Sequence, residues 1–224
     1  MISIFLPIKH TSRRAPRKNY KKIKHYKLGL TEIKLLQLQI LKKKLRSINI
    51  KCEIIISTDS KIIKKFIKEK KEFILHDRPK NLAQDDCLDE LIKEVPKITR
   101  EKYILWTHVT SPNFNEFDYL DFIKTFLKQK KFKSAFSANV ISTFVMNEKK
   151  LWISHDRKKK KWPRTQDLKK FYSANSAAFI SERKNYIKMN DRIDDKPLPI
   201  KTKYGSDFDI DNVDDMRLFV KYCT

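Results

Sequence analysis

Residues 52–70, CEIIISTDSKIIKKFIKEK, change period halfway along. CEIIIST is an unbroken apolar run rich in β-branched residues, which reads as a buried strand. Ser60 then opens SKIIKKFIKEK, whose apolar residues recur at helical spacing. EFIL, residues 72–75, is a further short strand. Strand, helix and strand in so short a span form the repeating unit of a parallel sheet.

The unit repeats outward. ISIFLPI, residues 2–8, is a first buried strand, and a polar basic loop follows it to Asn19. LTEIKLLQLQILKKKLRS, residues 30–47, is helical, with Thr31 the expected N-cap. DDCLDELIKEV is helical and is expected to stop at Pro96. KYILWTHV is a strand ending in TSPN, FDYLDFIKTFLKQK a helix, and KSAFSANVI strand-like. The expected fold is therefore α/β, three layers around a mainly parallel sheet. Such sheets bind ligands at the carboxyl ends of their strands, so the polar stretches after Ile8, Ile56 and Val109 should share one edge. The segment from about 141 to 161 breaks the alternation and reads as an excursion, a hairpin carrying a KKKK run. No linker divides the chain, so 1–224 is expected to be one domain.

The composition bounds the function. Fifty-one Lys and Arg against 27 Asp and Glu give a formal charge of +24, which suits an anionic partner. The lysine runs also read as solvated helix faces, and no aromatic or glycine-rich nucleic-acid signature accompanies them. No apolar run reaches the roughly 18–20 residues that span a bilayer. The start, MISIFLPIKH, lacks the features of a secretory signal. The three cysteines have no metal-ligand spacing and suit a reducing cytoplasm; Cys87 reads as core, and so do Trp106 and Phe136. His10, His25, His76 and His155 read as surface or loop residues.

Against that charge, residues 205–219, GSDFDIDNVDDMRLF, crowd five aspartates into ten positions. Asp214 and Asp215 fall in the first turn of a helix, where the dipole favours anions, with Asn212 or Asp211 as its cap. In an extended segment Asp209 and Asp211 share a face, and like charges so placed call for a cation. The spacing departs from an EF-hand, with Asn212 where glycine is needed and Leu218 where glutamate is needed. Two carboxylates without nearby His or Cys suit Mg²⁺ held together with a nucleotide phosphate. The loop LPIKHTSRRAPRKN offers Lys9, Arg13, Arg14, Arg17 and Lys18 at a strand end, with Ser12 as a hydroxyl donor. It forms a phosphate cradle without the Walker A glycines.

These pieces together resemble the acylneuraminate cytidylyltransferases, which activate sialic acids and related sugars as CMP conjugates. That family opens with R-x-G-S-K-x-x-P-x-K-N, and here KHTSRRAPRKN stands in its place. Ser12, Pro16, Lys18 and Asn19 match, whereas Lys9, Thr11 and Arg13 replace the family's Arg, Gly and Lys. Its STD is Ser57-Thr58-Asp59, its RPxxLAxD is RPKNLAQD from Arg78 to Asp85, and its QPTSP is HVTSP from His108. Its RxQDLP…NGAxYI is RTQDLKKFYSANSAAFI, Arg164 to Ile180, and its DID is Asp209-Ile210-Asp211. The motifs keep their order along nearly the whole chain.

The resemblance implies transfer of CMP from CTP to the anomeric hydroxyl of a sialic-acid-like 2-keto-3-deoxy acid sugar, with release of pyrophosphate. Lys9, Arg13 and Lys18 would then hold the triphosphate, with Ser12 and Asn19 donating hydrogen bonds. Arg78 and Asp85 would serve the nucleotide, and His108 the base or the sugar. Arg164, Gln166 and Asn175 would face the sugar, and Asp209 and Asp211 would hold Mg²⁺, Asp211 also serving catalysis. It further implies a homodimer paired through the excursion at about 140–162, a cytoplasmic enzyme, no nucleic-acid partner and no membrane insertion. Histidine at 108, in place of the family's glutamine, implies a pH dependence between roughly 5.5 and 7.5. A glycosyltransferase would also use an Asp-x-Asp pair, but after a mid-chain strand. A nucleic-acid-binding protein would account for the charge and not for the ordered motifs.

Overall fold

The structure, a computed structural model, describes residues 1–84 and 86–222. Seven strands form one sheet: β1 (Ile2–Ile8), β2 (Cys52–Thr58), β3 (Ile74–Asp77), β4 (Tyr103–Thr107), β5 (Ser134–Ile141), β6 (Phe171–Glu182) and β7 (Leu198–Lys201). Their spatial order is β3-β2-β1-β4-β6-β5-β7. β6 is antiparallel to both its neighbours, and the other six strands run the same way. The helices are α1 (Gly29–Ser47), α2 (Lys61–Lys68), α3 (Leu88–Ile98), α4 (Glu116–Lys128), α5 (Arg183–Met189) and α6 (Val213–Tyr222).

Side-chain alternation along the strands divides the core into two layers. Ile2, Ile4, Leu6 and Ile8 of β1 join Ile54 and Ile56 of β2 on the face covered by α1, α2, α4 and α6. Phe5, Ile55, Ile104 and Trp106 point the other way and pack on Leu91, Ile92 and Val95 of α3 and Tyr186 of α5. Both faces are covered, as the unbroken apolar strands require. The expected three-layer α/β architecture is the one observed.

Several local expectations change. Thr31 does not cap α1: it lies inside the first turn, fully buried, and its Oγ1 donates to Asn19 O at 2.5 Å. The helix begins at Gly29, whose φ is +50°. A Cβ there would stand 2.0 Å from Lys21 O, so only glycine fits. Ser60 precedes α2 as expected, but its side chain makes no cap bond and instead meets His10 Nδ1 at 3.0 Å. Pro96 does not end α3; it sits in the last turn, and Arg183 Nε donates to its carbonyl at 2.8 Å. α4 starts with a full capping box between Asn115 and Asp118.

The excursion between β5 and β6 contains a small hairpin. Ile153 N donates to Val145 O and Asn147 N to Leu151 O, each at 2.9 Å. Trp152 of this hairpin meets Phe144 and Trp162 edge to face, Phe144 meets Trp162 and His155 in the same way, and the Arg157 guanidinium lies over both indoles. Among the described residues no helix is long and apolar enough to cross a membrane.

Candidate active site

The chain reverses its direction of travel across the sheet between β1 and β4, the two central parallel strands. Loops leaving their carboxyl ends therefore part and open a crevice. A cavity of about 470 Å³ lies there. Lys9, Thr11, Ser12, Arg13, Arg14, Lys18 and Asn19 of the loop after β1 line one side, with Arg78, Trp106, His108 and Thr110 facing them.

The loop after β1 is moored on three sides. Asn19 O accepts from Thr31 N at 2.9 Å, and Asn19 Nδ2 donates to Lys9 O at 2.8 Å. His10 N donates to Asp59 Oδ1 at 2.8 Å, and the His10 ring stacks on Tyr20. Lys18 Nζ donates to Ile210 O at 2.6 Å and Asp211 O at 3.3 Å, while Arg14 Nη2 meets Asp211 Oδ1 at 2.6 Å. Burial lowers the Lys18 ammonium, and Asp211 and Asp209 oppose that shift. The structure thus brings the basic loop against the aspartate segment, although nearly two hundred residues separate them.

Arg78 is 2% exposed. Its Nε donates to Ser57 Oγ at 3.0 Å and its Nη2 to Ser57 O at 2.5 Å. Having accepted from Arg78, Ser57 Oγ can give its own proton to His76 Nδ1, 2.9 Å away. Burial and the Arg78 charge lower the His76 pKa, in keeping with a neutral acceptor. Nη1 of Arg78 has no partner among the described residues. Burial pulls the guanidinium down to about 10. A buried donor left open in this way is costly unless a ligand meets it.

His108 is engaged at both nitrogens. Nδ1 lies 2.7 Å from Ser176 O and must donate there, and Nε2 accepts from Trp106 Nε1 at 2.9 Å. Burial, with Arg192, Lys34 and Lys18 nearby, holds its pKa at about 4. The ring is therefore neutral from pH 5.5 to 7.5, and the expected titration in that range is replaced by a fixed tautomer.

Asp209 and Asp211 do not stand alike. Ile210 between them is fully buried and its N–H donates to Thr110 O at 2.8 Å. Asp209 Oδ1 accepts from Ser111 Oγ at 3.5 Å. Burial raises the Asp209 pKa, against the hydroxyls of Thr110 and Ser111 and the charge of Lys18. Asp211 is half exposed beside Arg14. Asp207 departs from the pair and accepts from Asn139 Nδ2 at 2.8 Å. Asn212 caps α6 through Asp214 N and Asp215 N, and Asp215 returns the bond to Asn212 N.

Of the residues expected at the sugar, His108 lines this cavity and Arg164, Gln166 and Asn175 do not. Arg164 is exposed and forks onto Asp167 through Nε at 3.0 Å and Nη2 at 3.3 Å. Gln166 is exposed in the same short turn. Asn175 is held by Ser137 and Asn139 of β5 and by Thr202, the residue after β7. Asp85 lies outside the described residues. The sequence reading passed over His10, His76, Thr110 and Ser111, which support the loop, Arg78 and Asp209. His10 and His76 had one visible signal, their adjacency to the basic loop and to Arg78.

No family model matches the chain, and no curated protein matches it in sequence. Its fold is matched by solved structures. A 4-diphosphocytidyl-2C-methyl-D-erythritol synthase from Anaerococcus prevotii superposes with a TM-score of 0.67 at 16% identity, over 99% of this chain and 97% of that one. A CMP:2-keto-3-deoxy-manno-octonic acid synthetase complexed with CTP gives 0.63 at 13%, over 99% and 98%. The bifunctional IspDF of Campylobacter jejuni gives 0.63 at 11%, over 96% of this chain and 53% of that one. The chain has the mixed α/β fold that these structures share.

Proposed function

We propose that the protein is a CTP-dependent cytidylyltransferase that activates a sialic-acid-like 2-keto-3-deoxy acid sugar. The observation that carries this reading is Arg78: a buried guanidinium with an open N–H, lining a crevice together with a cationic loop that is itself bonded to the carboxylate segment. The fold likeness supports the nucleotidyl class. The ordered motifs, and the likeness to an acid-sugar synthetase, favour the acid sugar.

In this reading Lys9 and Arg13 neutralise the β- and γ-phosphates, with Ser12 donating to them. Arg78 turns Nη1 to the nucleotide. Lys18 holds the segment of Asp209 and Asp211 in place through its carbonyls. The anomeric oxygen attacks the α-phosphorus, its proton passes to Asp211, and the bond to pyrophosphate breaks. Positioning and charge neutralisation supply most of the rate. His108 presents a neutral ring as a wall, and Arg164, Gln166 and Asn175 are assigned to the sugar and its carboxylate.

The donor set fits Mg²⁺. Among the described residues no three His, Cys, Asp or Glu side chains gather for a metal, so a cation at Asp209 and Asp211 would complete its shell with phosphate and water oxygens, as Mg²⁺ does. Partial burial raises the Asp209 pKa against the charge of Lys18, and a cation would offset that cost to the carboxylate. Bound there, Mg²⁺ would neutralise charge on the phosphates. Pairing of two copies through the excursion, where Leu151 and Trp162 are each 60% exposed, is part of the same proposal.

The test is pyrophosphate release from CTP with sialic, legionaminic, pseudaminic and 2-keto-3-deoxy-octonic acids, read with mass spectrometry of the product. A phosphorylated erythritol belongs in the panel, because one fold neighbour makes a diphosphocytidyl erythritol. Release with CTP and an acid sugar supports the reading; release only with the erythritol moves the acceptor class. No release with any acceptor, while CTP binds, removes the transfer reaction.

A further inference from the structure

Lys34 lies on α1 and is 0% exposed. Its Nζ donates to Ser111 O at 2.8 Å, Phe114 O at 2.9 Å and Tyr119 Oη at 3.0 Å. An ammonium has three N–H groups, and all three are used. Two of the acceptors belong to the turn that leaves β4, residues 110–114. Gln37, one helical turn on, donates to Pro112 O in the same turn at 2.7 Å. The helix thus grips this turn from below.

The other side of the turn carries the carboxylates. Thr110 O takes Ile210 N, and Ser111 Oγ reaches Asp209. Asn113 Nδ2 holds Gly205 O at 3.1 Å, upstream of the same segment. Burying an ammonium in an apolar helix interface is costly, and a packed apolar side chain would avoid that cost. What the ammonium adds is a fixed position for the turn.

We propose that Lys34 is a positioning residue for the carboxylate pair: through the 110–114 turn it sets where Asp209 and Asp211 stand, and so how strongly they hold a divalent cation. This rests on the reading of the pair as cation ligands. Burial pulls Lys34 down to about 7, although Asp118 and Glu116 of α4 push it up. Tyr119, whose pKa burial raises, and His108 also face it and stay neutral near pH 7. A neutral amine has two donors and no charge, so its bonds to the Ser111 and Phe114 carbonyls lose their charge assistance and the turn loosens as pH rises through 7.

Two measurements test this. Calorimetry of CTP with Mg²⁺ from pH 6 to 8.5 should show the half-saturating Mg²⁺ rising by roughly tenfold, the scale of one lost hydrogen bond. Deprotonation of carboxylates and phosphates would drive it the other way. In Lys34→Met the requirement should be high throughout and lack that rise. Amide hydrogen exchange on the ligand-free variant should be faster at Ile210 and unchanged in central β1. A Mg²⁺ requirement that is flat or falls with pH in the native protein overturns the proposal, as does unchanged Ile210 protection in a folded variant. If Lys34→Met does not fold, Ile210 exchange in Lys34→Gln decides. Failure of the native protein to bind CTP sinks the cytidylyltransferase reading, and Ile210 exchange then still decides for or against Lys34.

Discussion

Arg14 Nη2 stands 2.6 Å from Asp211 Oδ1 and ties the loop after β1 to the segment before α6. The side chains are 68% and 47% exposed, so the pair adds less than about 1 kcal/mol. It also occupies a carboxylate assigned to the cation. Arg14→Ala should leave thermal unfolding nearly unchanged and lower the Mg²⁺ needed for half-maximal turnover. A raised requirement would mean that Arg14 holds Asp211 in place rather than competing for it.

Arg78→Lys should weaken CTP binding by about 1.5–3 kcal/mol, because a charge-assisted donor to the nucleotide is lost. Lysine cannot reproduce the fork onto Ser57 while reaching a third partner. Calorimetry with CTP and with free pyrophosphate separates the roles. Equal losses for both ligands would place Arg78 at the phosphates and not at the base or ribose.

Gly29→Ala forces a Cβ to within 2.0 Å of Lys21 O at a φ of +50°. The loss of stability should exceed about 1 kcal/mol, since both the backbone region and the contact are unfavourable. Because Lys21 N bonds Arg17 O, the shift also reaches the cationic loop. Urea unfolding and CTP affinity should fall together; a loss of stability alone would show that the loop absorbs the change.

Asp209→Asn probes the member of the pair whose pKa burial raises. The Asp209 pKa lies above its unfolded value, so its contribution to folding is present below the unfolded pKa and is lost as pH rises through the folded one. At pH 7 without metal, the neutral amide should therefore melt no lower than the native protein. With CTP and Mg²⁺ the order should reverse, and turnover should fall by a hundredfold or more, the loss of about 3 kcal/mol of charge stabilisation. Metal-induced stabilisation persisting in the variant would remove Asp209 from the cation site.

The central strands were legible because they are buried on both faces, which leaves an unbroken apolar run. β6 was passed over as a strand because FYSANSAAFISE is rich in small and polar residues; the backbone of Asn175 and Ala178 there bonds the Ser137 hydroxyl of β5. Asp209 and Asp211 could be read from charge patterning, and the basic loop from its clustered cations. Lys34 could not. A lysine within KLLQLQ looks like a solvated helix position, and only the chain's return from β4 buries it. The expected cap at Thr31 failed for a similar reason: its hydroxyl serves the Asn19 carbonyl, a partner that tertiary folding brings near.

His108 shows how a contact reverses a prediction drawn from a residue type. An unperturbed histidine titrates near 6.5, and this one would then switch from a donor and acceptor to two donors. Here Trp106 Nε1 already points a hydrogen at Nε2, and a second proton there would set two donors against each other. Its pKa of about 4 follows from burial. Because the folded pKa is depressed, the stabilisation that His108 contributes is present above pH 6.5 and is lost as pH falls towards 4. His108→Gln offers an amide N–H for Ser176 O and an amide oxygen for Trp106 Nε1 without any titration. Two results are therefore expected. Catalytic efficiency with saturating CTP should follow parallel pH profiles in the two forms from 5.5 to 7.5. The thermal midpoint of the native form should fall more steeply than that of the variant between pH 6.5 and 4. An inflection near 6.5 in the native profile alone would mean that bound substrate displaces Trp106 and frees Nε2 to titrate.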